Sequence, residues 1–270
     1  MTVTRRGLGW LIGAAGVTAA VSAGPGLWRR AVPPEIRTEP VPGLPGFRRV
    51  PRPGPALSPL VGLATGAPPP LPDDLCAALF GPASEGPGPD LSGPDFPGPD
   101  LPGTVPVACF TDIRCPWCRQ LTPLLIARAV RRPAAIRIAW QPLPLLGEGS
   151  VLAARATLAA EAQGAALDWQ ARMMRGVLVP TLRGMREIAA GMGLDMAAFE
   201  RDMDLPRTEA RLAAARALAA AFGFVGTPGL VVGRVAILGG VDGPMLDRLI
   251  AEAQTAPAPA SAPLSGPACG

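Results

Sequence analysis

Cys115 and Cys118 flank Pro116 and Trp117. Two thiols at this spacing suit reversible disulfide chemistry: one attacks as a thiolate, and the other closes the disulfide. An apolar run over residues 105–110 reads as a strand leading into the pair, and helix-forming sequence follows it. The start of a helix offers free backbone N–H groups and the positive end of the helix dipole, which together favour a thiolate. Cys115, which opens the helix, is therefore expected to be the exposed nucleophile. Cys118 lies one turn deeper and is expected to close the disulfide. Pro116 removes an N–H and stiffens the turn, and Trp117 adds an indole donor and a large apolar face. Half of a zinc site is the competing use of such a pair. It needs two more ligands, and the chain has no histidine and no second C-x-x-C.

Composition removes other chemistries. The chain contains no Lys, His, Asn or Tyr, so all 25 basic residues are Arg. Without His there is no Ser-His-Asp or Cys-His catalysis and no histidine metal site. Without Lys there is no Schiff base and no P-loop. Charge is uneven: residues 1–60 carry eight Arg and two acids, whereas residues 61–270 carry seventeen Arg and nineteen acids. The basic character therefore belongs to the N-terminal flank, and no nucleic-acid surface is expected on the domain.

That flank reads as a targeting segment. Arg5 and Arg6 precede an uncharged stretch, residues 7–28, that is rich in Gly and Ala. A twin arginine before a weakly apolar run resembles a Tat export signal, and Val21-Ser22-Ala23 offers small residues for cleavage. A retained anchor is the alternative, because twenty-two helical residues reach about 33 Å, enough to span a bilayer core. Residues 31–103 are rich in Pro and Gly and include three copies of Gly-Pro-Asp at five-residue spacing. Such sequence reads as a spacer, although residues 71–80 form a short amphipathic stretch, with Cys76, able to pack on the domain. Residues 255–270 read as a loose Ala/Pro/Ser tail.

The remaining stretch, residues 104–254, is long enough for one core. Strands are expected over 104–111 and 136–141, with the dithiol helix over 115–130 kinked at Pro123. Helices are expected over 151–163, capped by Ser150, and over 168–175, 181–191, 196–203 and 208–221. Segments 230–232 and 235–238 read as a hairpin turning at Gly233-Arg234. A last helix is expected over 244–253, with Asp242 as its cap. Ahead of the hairpin stands Val225-Gly226-Thr227-Pro228-Gly229, which by itself is common turn chemistry.

The order of these motifs resembles the DsbA-like branch of the thioredoxin superfamily. The resemblance covers residues 104–253. It rests on Phe110-Thr111-Asp112 and the Cys-Pro-Trp-Cys stretch, on Pro142-Leu143-Pro144-Leu145-Leu146-Gly147 leading into Ser150, on Gly226-Thr227-Pro228, and on Gly239-Gly240-Val241-Asp242. It implies an α/β thioredoxin fold with a helical insertion at about 148–222. It also implies a cis bond before Pro228, and a groove lined by Thr227 and Pro228 whose backbone takes up an extended substrate chain. DsbA proteins often carry histidine where Trp117 stands, and many thioredoxins keep a buried carboxylate where Cys109 stands. Cys109 reads as a small core residue.

These readings together point to an exported, periplasmic thiol–disulfide oxidoreductase acting on protein cysteines, with an unidentified redox partner and a possible membrane tether. No cofactor, metal or nucleic acid is implied. A reductase or isomerase serving metalloprotein or cytochrome assembly is the alternative within enzymes. A peptide-binding module that uses its dithiol little is the alternative outside them. Cys76 and Cys269 could bridge in an oxidising compartment, or Cys269 could stay reactive.

Overall fold

The structure is a computed structural model that describes residues 35–51, 70–81, 104–132, 135–175 and 179–255. The signal or anchor, the Gly-Pro-Asp repeats and Cys269 lie outside the described residues. Every element named below belongs to the unit that starts at Thr38.

The strand leading into the dithiol is β3, Val105–Thr111. All its residues but Pro106 are buried, which is why it reads as a continuous apolar run rather than an alternating one. It pairs in parallel with β4, Ile136–Pro142. Parallel neighbours need a crossover, and α2, Pro116–Arg131, provides it. The helix continues through Pro123 without a break. On its other edge β3 pairs antiparallel with β5, Gly229–Val232. β5 turns into β6, Val235–Leu238, with Val232 opposite Val235. Gly233 takes the positive φ of 55° that this two-residue turn requires.

The expected spacer is not structureless throughout. β1, Glu39–Pro40, and β2, Arg48–Arg49, extend the sheet to the order β1-β2-β6-β5-β3-β4. Between them runs Val41-Pro42-Gly43-Leu44-Pro45-Gly46-Phe47. Leu44 N donates to the Val41 carbonyl at 3.2 Å and Phe47 N to the Leu44 carbonyl at 3.1 Å. Each turn places Pro second and a positive-φ Gly third, the type II pattern. Two such turns in series bring Val41, Leu44 and Phe47 to one side, and all three are buried in the core. Proline density here signals turns, not a spacer.

A second piece of the same segment also packs. Helix α1, Leu75–Phe80, is capped by Asp74 and buries Leu79 and Phe80. Its last carbonyls are taken up across the domain: Gln141 Nε2 donates to Ala78 O and Leu79 O. Buried Gln141 thus satisfies helix-end groups, and Arg211 Nη1 also donates to Ala78 O at 3.3 Å. Cys76 on this helix is disulfide-bonded. Cys109, Cys115 and Cys118 are free thiols.

The insertion comprises α3, Glu148–Glu161; α4, Ala166–Met173; α5, Leu182–Gly191; and α6, Met196–Met203. Helix α7, Pro206–Phe222, returns the chain to the sheet. Helix α8, Gly243–Thr255, follows β6, and Asp242 accepts from Met245 N as its cap. Phe222 stacks on Phe224 and meets Phe47 edge-on, while Phe224 meets Phe110 of β3. A second core, around Trp169, Met173, Met185 and Phe199, fills the insertion and includes Cys115 and Cys118. This is the thioredoxin fold with an inserted helical domain that the resemblance implies.

Candidate active site

Cys115 is the N-cap of α2, with extended backbone, and Pro116 is the first helical residue. A proline costs no hydrogen bond there. Cys115 N donates to the Asp112 carbonyl at 3.0 Å, and Arg119 N closes the first turn on the Cys115 carbonyl. The turn thus points both sulfurs at the loop ahead of β5. That loop carries the cis Thr227–Pro228 bond, and Cys115 Sγ lies 3.3 Å from the Thr227 carbonyl oxygen. Gly229 follows because a side chain there would start 2.5 Å from the Phe224 ring. Pro228 is buried, and its carbonyl accepts from Gly239 N at 2.8 Å.

The nucleophile was expected to be exposed. Cys115 is instead 5 % exposed, against 1 % for Cys118, because the Thr227 loop lies over its sulfur. Exposed surface at the site belongs to Trp117, 59 % exposed, and to Val225 two residues before Thr227. Pro116 is exposed as well.

Burial is the largest influence on the Cys118 thiol, pushing its pKa up to about 12. The Thr111 hydroxyl, the Asp112 backbone and the Thr227 hydroxyl oppose that shift by favouring the thiolate, and Cys115 adds to it. Cys109, 1 % exposed on β3, is pushed well up by burial and by the nearness of Cys118. At neutral pH both inner sulfurs are therefore thiols.

One participant was quoted in the sequence only as part of a motif. Asp112 is 2 % exposed and holds the turn before Cys115. Its Oδ1 accepts from Arg114 N at 2.9 Å and from Ser150 Oγ at 2.8 Å. Its Oδ2 accepts from Leu145 N at 2.8 Å and Leu146 N at 3.1 Å. Arg114 also donates to the Leu146 carbonyl. Ser150 was expected to cap a helix starting at residue 151. The helix starts at Glu148, after Gly147 with φ of 95°, and the Ser150 hydroxyl goes to the carboxylate. A charged acceptor makes the stronger bond. Among the described residues, no three His, Cys, Asp or Glu side chains converge as a metal site, and no helix is long and apolar enough to cross a membrane.

The family model for the DSBA-like thioredoxin domain matches residues 106–251. A thioredoxin-like oxidoreductase from Silicibacter pomeroyi DSS-3 is 32% identical, with a TM-score of 0.54. That match covers 64% of this chain and 100% of that one. A periplasmic thioredoxin-like protein from Salmonella enterica serovar Typhimurium is 23% identical over 75% of this chain and 100% of its own, with a TM-score of 0.51. The catalytic domain of Proteus mirabilis ScsC is 21% identical over 67% of this chain and 94% of its own, with a TM-score of 0.53. No curated protein matches the chain.

Proposed function

The chain belongs to the DSBA-like thioredoxin domain family, and we propose that it is an exported thiol–disulfide oxidoreductase that exchanges disulfides with protein cysteines through Cys115 and Cys118. One observation carries the reading. Cys115 opens α2 with its sulfur 3.3 Å from the Thr227 carbonyl of the facing loop, and Cys118 is buried behind it. That arrangement supports a single productive attack.

A substrate disulfide exchanges first with the Cys115 thiolate. The Cys115 sulfur forms a bond to one substrate sulfur, and the other leaves as a thiolate. Cys118 then attacks Cys115 Sγ, the mixed disulfide breaks, and the second substrate sulfur leaves. The same steps in reverse deliver a disulfide to a reduced client. An extended client segment fits beside Thr227 by backbone pairing, with Trp117 and Val225 as the apolar surface next to the dithiol. Export is supported by Arg5-Arg6 ahead of the uncharged stretch and by the disulfide at Cys76, since such bonds persist in oxidising compartments.

Trapping tests the assignment. Cys118→Ser should accumulate mixed disulfides with client proteins, because the resolving thiol is missing, and Cys115→Ser should trap almost none. Adducts are to be mapped to peptides by mass spectrometry, so that Cys76, Cys109 and Cys269 cannot imitate the result. Client adducts on Cys118 in preference to Cys115 would overturn the roles. No adducts in either variant, with a dithiol that never cycles, would make the protein a peptide-binding module.

A further inference from the structure

The chain has five cysteines. Cys109, Cys115 and Cys118 are buried free thiols, whereas Cys76 is disulfide-bonded. The one cysteine left for a bond within the chain is Cys269, outside the described residues. Cys76 lies on α1, half-buried against the core that holds Phe110, Leu143 and Phe222. Cys115 and Cys118 belong to the other core, around Trp169 and Phe199, so the bonded sulfur and the dithiol pack in different places. A six-residue helix such as α1 is not stable alone. The domain holds it from several sides: Leu79 and Phe80 are buried, Gln141 and Arg211 donate to Ala78 O, and Arg137 donates to Phe80 O. Cys76 is thus presented at a fixed point of the domain. Helix α8 ends at Thr255, and the chain from there to Cys269 can span about 45 Å. A domain of this size has a radius of gyration of about 15 Å, so that length reaches α1 from any side.

We propose that Cys76 and Cys269 form a second, structural disulfide that closes the chain around the catalytic domain, so that an oxidising compartment sets the domain's stability but not its dithiol chemistry. In forming it, the two thiols give up two protons and two electrons to a disulfide oxidant. The Cys76 Sγ–Cys269 Sγ bond forms, the S–S bond of the oxidant breaks, and the oxidant leaves as two thiols. The closed loop, residues 76–269, contains the dithiol, the sheet from β3 to β6 and the whole insertion. A crosslink over so long a loop acts chiefly on the unfolded chain, whose freedom it removes. The folded domain changes little, because packing and side-chain hydrogen bonds already dock α1. Opening the loop therefore lowers stability and leaves the geometry around Cys115 as it is.

Peptide mapping without reduction tests the pairing, on full-length protein equilibrated in an oxidising glutathione buffer and then blocked with N-ethylmaleimide. Trypsin together with a protease that cuts before aspartate puts Cys76, Cys109 and Cys269 on separate peptides. The expected map links Cys76 to Cys269. A blocked Cys76, a link from it to Cys109, Cys115 or Cys118, or a Cys76–Cys76 bond between two copies would overturn the pairing. Thermal unfolding tests the role. Cys76→Ala and Cys269→Ala should each lower the midpoint by about 5–15 °C. The double variant should fall no further, because either change opens the same loop. Losses that add in the double variant, or a loss with Cys76→Ala alone, would refute the closure. Both single variants should reduce a disulfide substrate at the wild-type rate below their midpoints; slower turnover would show that the bond serves the dithiol and sink the separation of the two. Wild-type protein without dithiol turnover would instead refute the oxidoreductase reading, and the Cys76–Cys269 map is read independently of it.

Discussion

The Asp112 carboxylate accepts a hydrogen bond from Ser150 Oγ at 2.8 Å, joining the turn before the dithiol to the first helix of the insertion. The same carboxylate holds the Leu145 and Leu146 amides. One buried carboxylate thus ties the turn before the dithiol to residues 145–150, more than thirty positions on. Ser150→Ala removes one bond to a charged acceptor and should cost about 1.5–3 kcal/mol. Asp112→Ala orphans four donors and should cost more, about 3 kcal/mol or above. It should also slow adduct formation at Cys115, because the Cys115 turn loses its brace. Denaturant unfolding checks the order. Equal losses from the two substitutions would show that Ser150, not the carboxylate, carries the contact.

Phe47 tests whether the Pro/Gly-rich segment belongs to the core. Its ring lies 5.2 Å from that of Phe222, under the guanidinium of Arg234 at 5.6 Å, and the residue is 3 % exposed. Phe47→Ala should cost about 3–5 kcal/mol, as large-to-small changes of buried aromatics do. A loss below about 0.5 kcal/mol, typical of a surface position, would return the segment to the role of a spacer.

The dithiol and the Thr227–Pro228 loop were legible because their chemistry is written in fixed short spacings. β3, β4, the hairpin and most helix cores were legible for the same reason, since their apolar patterns are local. Residues 41–47 were not, because burial at every third residue through successive type II turns matches neither the helical nor the strand period. Asp112 was missed as a site residue because its acceptors' worth depends on residues 145–150, more than thirty positions on. Ser150 was misread because capping preference weighs only neighbours in sequence, whereas the helix starts two residues earlier and the hydroxyl donates to a carboxylate far back in the chain.

The proposed export rests on Arg5 and Arg6. Replacing both with Lys should block translocation through a twin-arginine route while leaving synthesis intact. Cell fractionation measures it, and carbonate extraction of the wild-type membrane fraction distinguishes a retained anchor from a cleaved signal. Normal periplasmic amounts of the double variant would refute the Tat assignment.

Stability should depend on pH differently in the two redox states. In the reduced protein, the Cys118 pKa is raised by burial from 9.0 to about 12. As pH climbs past 9, the unfolded chain releases this proton while the folded chain keeps it. The unfolded state then binds fewer protons, so stability falls with rising pH. The contribution is full below about 9 and is lost progressively toward 12. Cys109, also raised by burial, acts in the same direction in both redox states. Forming the Cys115–Cys118 disulfide removes the Cys118 titration and leaves that of Cys109. The stability gap between oxidised and reduced protein should therefore widen from pH 8 to pH 10, as read by anaerobic denaturant unfolding. Cys118→Ser, which cannot titrate at that position, should fall less steeply over the same range than the reduced wild type. Parallel pH profiles for the two redox states would mean that Cys118 ionises in the fold as easily as in the open chain, and that its burial does not govern the resolving step.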